Sequence, residues 1–455
     1  VVLQTLEFTT MKFLRILCLL ALPVGICAQS IRESDADPRM LTAMLTGDAL
    51  WETPTEKFEQ QFQDLGLQWL SAGKDQARFF GNYAIFNPQL KTPEVIAEFQ
   101  AGKLARVNVS IFNRGDSARQ ASDKNHFEQQ VEAIKATISS TLGVQATERG
   151  KDKQSAVNAV GWMWMKPPTA YLLEYSFIKE VKSRDQEFRA EFIRLRAMPI
   201  AKQQVPPGTH PTNGANQPVA RSSLAANLTH DANGDVVIKN VPMVDQGPKG
   251  YCAVATTERI FRYYGLAVDQ HELAQIANTS DGGGTSPTAM LAALEKIEGR
   301  MKVRVRALQK FEMKEFLSLV ADYNREAKRN GETKIDIDQG GTIDIAEIYS
   351  GMDPATLKTC RTVKDKSGYG TFQRLVTETI NKGVPVMWSV QLGLFKEGNL
   401  PQSGGGHMRL IIGYNLKTSE IIYSDSWGAE HALKRMPMAD ARSMTTGMYY
   451  IEPRK

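Results

Sequence analysis

Apolar residues recur at Phe58, Phe62, Leu65 and Trp69, three or four apart, with the acidic Glu56 in the opening turn; the spacing predicts a helix over 54–68. Alternating runs follow at 78–86 (RFFGNYAIF) and 104–112 (LARVNVSIF), the second closed by a turn at 113–116, and both predict strands. Phe127, Val131, Ile134 and Ile138 then line one face of a helix over 126–143, with Gly143 as its stop. Three more strands are predicted at 159–165, 171–180 and 187–198. Trp162 and Trp164 fall on one side of the first, where aromatics at period two predict sheet core ahead of a glycan or peptide platform. The order describes an α+β unit, a mostly antiparallel sheet with helices on one face.

Between 199 and 235 the periodicity stops, and Pro, Gly, Asn, Ser and Thr dominate, which predicts an interdomain linker ending in a hairpin-type turn, DANGD at 231–235. Patterning resumes with an apolar run at 236–244. Ala253, Thr257, Ile260, Phe261 and Tyr264 then mark a helix that begins at Cys252. Helices at 286–299, 311–330 and 372–383 and strands at 301–308 and 384–392 come next, with an irregular stretch at 331–371. The runs 407–415, 420–427 and 447–452 predict an antiparallel sheet at the end.

With 42% hydrophobic and 23% charged residues over 455 positions, the chain has the composition of a soluble globular protein too long for one core. A net charge of +5, from 55 basic and 50 acidic residues without a basic block, gives no nucleic-acid footprint. Met11, Lys12 and Arg15 precede an apolar run, 16–26, and the small-residue step Cys27-Ala28-Gln29, the pattern of a secretory signal peptide cleaved after Ala28, with residues 1–10 an over-extended start. No later stretch reaches the roughly 18 apolar residues of a membrane span. The expected plan is a signal peptide at 1–28, an accessory α+β domain at 29–198, the linker at 199–235 and a second domain at 236–455. The expected location is secreted or periplasmic, without a stable membrane anchor.

Cleavage removes Cys18 and Cys27 and leaves Cys252 and Cys360, too few for a disulfide framework. They can pair with each other, or Cys252 can remain a thiol at a helix N-terminus, where orphan N–H groups and the helix dipole favour the thiolate. A thiolate nucleophile needs a proton carrier, and histidine serves near neutral pH. Of the histidines after residue 28, His126, His210, His230 and His271 fall on polar surroundings, whereas His407 follows Gly404, Gly405 and Gly406 and opens an apolar strand. Asp425, eighteen residues on, is placed by hairpin pairing to orient the ring, and Trp427 to shield that contact from water. The Cys252 backbone N–H and the Gln246 amide are the candidate oxyanion donors.

Gln246, GYC ending in Cys252, GGGH ending in His407 and DSWG starting at Asp425 resemble the papain-like cysteine peptidases in order, context and approximate separation, across about residues 236–455. Cys252 is followed by Ala253 rather than a second cysteine and an aromatic, and Asp425 stands where papain relatives usually carry Asn. The chain is therefore more similar to the bacterial branch that includes bacteriocin-leader-processing peptidases. The resemblance implies a papain-like C-terminal domain acting on a peptide or protein substrate through an acyl-enzyme. Cys252 would be the nucleophile, His407 base then acid, Asp425 the orienting group and Gln246 the oxyanion donor. Gly282, Gly283 and Gly284, with Gly405 and Gly406, would form a wall that pairs substrate backbone. No cofactor or metal is implied. The same acyl-enzyme would serve an acyl transferase or transglutaminase-like enzyme, and a catalytically silent peptide-binding module is the alternative from outside enzymology. A calcium-loop pattern at 336–347 (Asp336, Asp338, Gly341, Asp344, Glu347) lacks a continuous entering helix and is expected to be a solvated loop. Substrate specificity, the role of the N-terminal domain and the oligomeric state are not legible.

Overall fold

The computed structural model describes residues 37–454 except 117–122, 150–155, 158, 182–185, 201–218, 248–249, 267, 280–285 and 338–342. The expected signal peptide therefore lies outside the described residues. The fold is a mixture of helices and sheets organised around two hydrophobic cores.

The first core is built on a nine-stranded sheet in the order Arg39–Met40, Gln76–Ala84, Lys91–Gln100, Lys103–Asn113, Arg189–Pro199, Thr169–Ile178, Val160–Lys166, Thr147–Arg149, with Gln68–Trp69 beside Gln76–Ala84. All pairings are antiparallel except the first. Helix Lys124–Leu142 buries Phe127, Val131, Ile134, Ile138 and Leu142 against it, capped by Asp123 at its start and left-handed Gly143 at its end. Trp164 is buried and donates to Ser139 Oγ, so the tryptophan pair belongs to the sheet core as the alternation predicts.

Three expectations here need correction. The first helix spans only Thr55–Phe62; one further tight turn ends at left-handed Gly66, and Gln68 and Trp69 become a strand. Strand Lys91–Gln100 is absent from the predicted set, because Pro93 interrupts its pattern. Residues 221–235, expected within the linker, instead form a short helical turn, Arg221–Asn227, and a strand, Leu228–His230, with Leu224 fully buried in the second core.

The second sheet runs Leu228–His230, Asp235–Ile238, Gly405–Asn415, Val386–Leu392, Thr445–Pro453, Val303–Gln309, and Glu420–Ser424 and Lys434–Pro437 extend from Gly405–Asn415. DANGD forms the predicted hairpin turn between its first two strands. Gly413 is required by packing: a Cβ there would lie 2.5 Å from Val236 O. Helix Cys252–Tyr263 packs against Gly405–Asn415 and against helices Gln270–Ala277 and Pro287–Met301, while helix Met313–Asn330 packs against Pro354–Lys358 and Thr359–Lys364. The stretch expected to be irregular holds Ile345–Ser350, Pro354–Lys358 and a wide helical turn, Thr359–Lys364, and the next helix begins at Lys366 rather than 372. The strand from Glu420 ends at Ser424, which leaves Asp425 free to turn out of the ladder.

Among the described residues, no helix is long and apolar enough to cross a membrane. Asp344 caps Ile345–Ser350 through the N–H groups of Ala346 and Glu347, the role of a helix cap; Asp338 and Gly341 lie outside the described residues.

Candidate functional site

Helix Cys252–Tyr263 is buried almost all round, and one of its polar stripes is Cys252, Thr256 and Arg259, spaced four and three apart. That stripe faces the strands. Thr256 Oγ1 donates to Met408 O at 3.3 Å, and Arg259 donates to Asp425 O at 3.0 Å and to Ser424 Oγ. The helix is thereby fixed against both His407 and Asp425. Arg259 is fully buried, and desolvation lowers its pKa to about 10 against the raising effect of Asp425.

His407 pairs with Val390 across the sheet and carries a fully buried side chain. Its Nε2 is 2.6 Å from Asp425 Oδ1. The Trp427 ring stacks on the imidazole, 4.1 Å between centroids and 9° from parallel, which keeps water from the His407–Asp425 bond. The Nδ1 atom makes no aligned hydrogen bond, and Cys252 is the other group coupled to the ring.

The electrostatics favour a thiolate and an imidazolium. Burial opposes ionisation of Cys252, but the neighbouring His407, with the nearby backbone of Met408 and Ala253, outweighs it and lowers the thiol pKa. Burial likewise opposes a charged His407, but the hydrogen bond and charge of Asp425, then the neighbouring Cys252, raise it to about 9. Desolvation works against the Asp425 carboxylate too, and His407, Arg409 and His431 together hold its pKa below the usual range.

Asp425 has a second supporter that the sequence reading missed. Arg409, two residues beyond His407 on the same strand face, is fully buried with Nε 3.0 Å from Asp425 Oδ2, an ion pair without hydrogen-bond alignment. Its guanidinium also meets Glu397 at 2.9 Å, and Tyr423 donates to that carboxylate. The available signal was an arginine inside the apolar run HMRLII; Arg259 on the Cys252 helix is the equivalent signal there.

The remaining predicted residues divide. Gln246 is buried and its backbone N–H donates to Ser426 O at 2.9 Å, which ties the segment before Cys252 to the segment after Asp425. Gly405 has φ +88° and starts the His407 strand; a Cβ on the exposed Gly406 would meet nothing within 4 Å, so that edge is open. Gly282, Gly283 and Gly284 lie outside the described residues. His271, expected in a solvated stretch, sits on helix Gln270–Ala277 with its ring 6.1 Å from that of Tyr251. Cys252 and Cys360 are both free, and burial raises the Cys360 thiol pKa. Among the described residues no cluster of three His, Cys, Asp or Glu is arranged to hold a metal ion.

Residues 238–451 match the model of the Peptidase_C39 like family, in agreement with the resemblance to papain-like cysteine peptidases of the bacteriocin-processing type. No curated protein matches the chain.

Proposed function

We propose that the region matching the Peptidase_C39 like family is a working cysteine peptidase, in which Cys252, His407 and Asp425 form the catalytic triad and Gln246 supplies an oxyanion donor. The observation that carries this reading is the buried His407 Nε2 to Asp425 Oδ1 bond of 2.6 Å, on an imidazole whose coupling to Cys252 lowers the thiol pKa and raises its own.

In the proposed reaction the Cys252 thiolate attacks a peptide carbonyl. The oxyanion is met by the Cys252 backbone N–H at the helix start and by the Gln246 amide. Imidazolium His407 gives its Nδ1 proton to the leaving amine and leaves a thioester on Cys252. Neutral His407 then takes a proton from water as that water attacks the thioester, and the acid product leaves as the Cys252 thiolate and His407 imidazolium are restored. Asp425 holds the ring orientation throughout, supported by Arg409. Gly405 and Gly406 border the open strand edge and are candidates for pairing substrate backbone. The 11–28 pattern supports a secreted or periplasmic location, and the sheet-based N-terminal unit is read as an accessory domain.

The test is a peptide-library digest with and without added amine. Cleavage to free acids that vanishes in Cys252→Ala supports hydrolysis. Mainly amine adducts would assign acyl transfer to the same thioester, and no turnover with intact peptide binding would assign a silent binding module.

A further inference from the structure

The segment that carries the proposed oxyanion donor and nucleophile is gripped at both ends by the N-terminal sheet. Arg78, on strand Gln76–Ala84, is buried and holds Glu94 at 2.8 Å, and its Nη1 lies 3.1 Å from Asp245 Oδ1, one residue before Gln246. The same Asp245 oxygen accepts the Gly247 N–H at 2.7 Å, so the arginine fixes the carboxylate that shapes the turn around Gln246. Gly247 needs that turn, with φ +69°.

At the other end, Tyr251 directly precedes Cys252. Its hydroxyl donates to Asn113 Oδ1 at 3.2 Å, and its fully buried ring lies against Gly115 so closely that a Cβ there would stand 1.9 Å from the hydroxyl. The other side of Tyr251 meets His271, whose helix is capped by Asp269. Asp269 is in turn paired with Arg194 and Arg196 of strand Arg189–Pro199, and Arg194 also pairs with Glu272.

We infer that the N-terminal unit is a positioning half of the catalytic site, with Arg78 and the Asn113–Gly115 turn holding Asp245 and Tyr251 so that Gln246 and Cys252 keep their register. The inference rests on the peptidase reading given above. None of these three residues touches the reacting atoms; they act through Asp245 and Tyr251. An inhibitory prosegment makes the opposite prediction, because loosening its contacts would free the site and raise activity.

The experiment uses the full chain with Arg78→Met, Asn113→Ala and Gly115→Ala, and with Arg78→Lys as the rescue. Three quantities are read: kcat and KM on a cleaved peptide, the pH dependence of Cys252 alkylation by iodoacetamide, and Tm. The expected result is a kcat about ten- to a hundredfold lower with KM little changed, as a small misplacement of reacting groups gives. The acid limb of Cys252 alkylation should also move to higher pH, because a displaced thiol loses its imidazolium partner. Arg78→Lys should recover most of both. Gly115→Ala deletes no hydrogen-bonding group, so it carries the test if Arg78→Met does not fold. Wild-type kcat and an unmoved alkylation profile in the three variants, or a faster enzyme, would overturn the inference and leave the peptidase reading intact. A shifted alkylation profile in a chain that cleaves no peptide would sustain the positioning role and refute the peptidase reading instead.

Discussion

Asp425→Asn changes one charge and almost no volume at the most buried point of the site. The amide oxygen can still accept the His407 N–H, so the ring keeps its orientation while the field that favours imidazolium disappears. The His407 pKa is raised from 6.5 to about 9, a shift on the order of 3 kcal/mol at roughly 1.36 kcal/mol per unit. Asp425 precedes Cys252 among the groups that raise it, so the carboxylate supplies the larger share of that stabilisation. The sign follows from the direction of the shift: a raised histidine pKa keeps the imidazolium present up to about pH 9, and losing the carboxylate brings that limit down. The assay is kcat/KM against pH on a cleaved peptide, with iodoacetamide alkylation of Cys252 in parallel. The expected variant has its alkaline limb about one unit or more lower, with kcat/KM on that limb reduced about tenfold or more. Tm is measured alongside, since Arg409 loses one of its two carboxylate partners but keeps Glu397. An alkaline limb that stays near pH 9, or a loss below twofold in a folded variant, would refute the electrostatic role given to Asp425.

Arg409→Met leaves Asp425 and Glu397 buried without their shared cation and should cost about 3–5 kcal/mol in urea unfolding; a cost under about 1 kcal/mol would show that the ion pairs are not what stabilises this region. Glu174 is buried, which opposes its ionisation, yet Arg196, Arg194 and Arg149 hold its pKa near 2. A depressed carboxyl pKa contributes stability that is present above about pH 4.5 and lost as pH falls through about 2, so the Tm deficit of Glu174→Gln should be largest near neutrality and close in acid; a deficit that grows on acidification would contradict the assignment. At Gly406 a new Cβ meets no atom within 4 Å, so Gly406→Ala should change stability by less than about 0.5 kcal/mol while raising KM for peptides. Unchanged KM would remove that strand edge from the substrate path.

The elements read most directly from sequence were those with a clean period and a matching stop. Helix Lys124–Leu142 has apolar residues on one stripe and Gly143 in the left-handed conformation, so local pattern and tertiary burial agree. The Cys252 helix and the His407 strand were legible for the same reason. Where the period was broken by a residue whose role is set by tertiary contacts, the reading failed: Pro93 obscured strand Lys91–Gln100, and Gly368 and Gly370 hid the first turns of helix Lys366–Ile380. The polar sequence DQHEL gave no sign of burial, because Glu272 is buried against Arg194 and Arg196, which reach across from the first sheet. The same limit applies at the site. Order and spacing brought Cys252, His407, Asp425 and Trp427 onto the page, but the Arg259, Arg78 and Asn113 contacts depend on which elements become neighbours across more than a hundred residues, and Arg409, only sixteen residues from Asp425, was hidden by the apolar run around it.

The central claim is that the Cys252 sulfur is a nucleophile activated by His407. Its most direct measurement is peptide mapping by mass spectrometry after treating the native chain with a peptidyl acyloxymethyl ketone, in wild type and in His407→Ala at pH 7. The account predicts a single adduct on Cys252 in the wild type and a labelling rate lower by about a hundredfold or more in His407→Ala. An adduct on Cys360, no adduct on the folded chain, or equal labelling of Cys252 in the two proteins would contradict it.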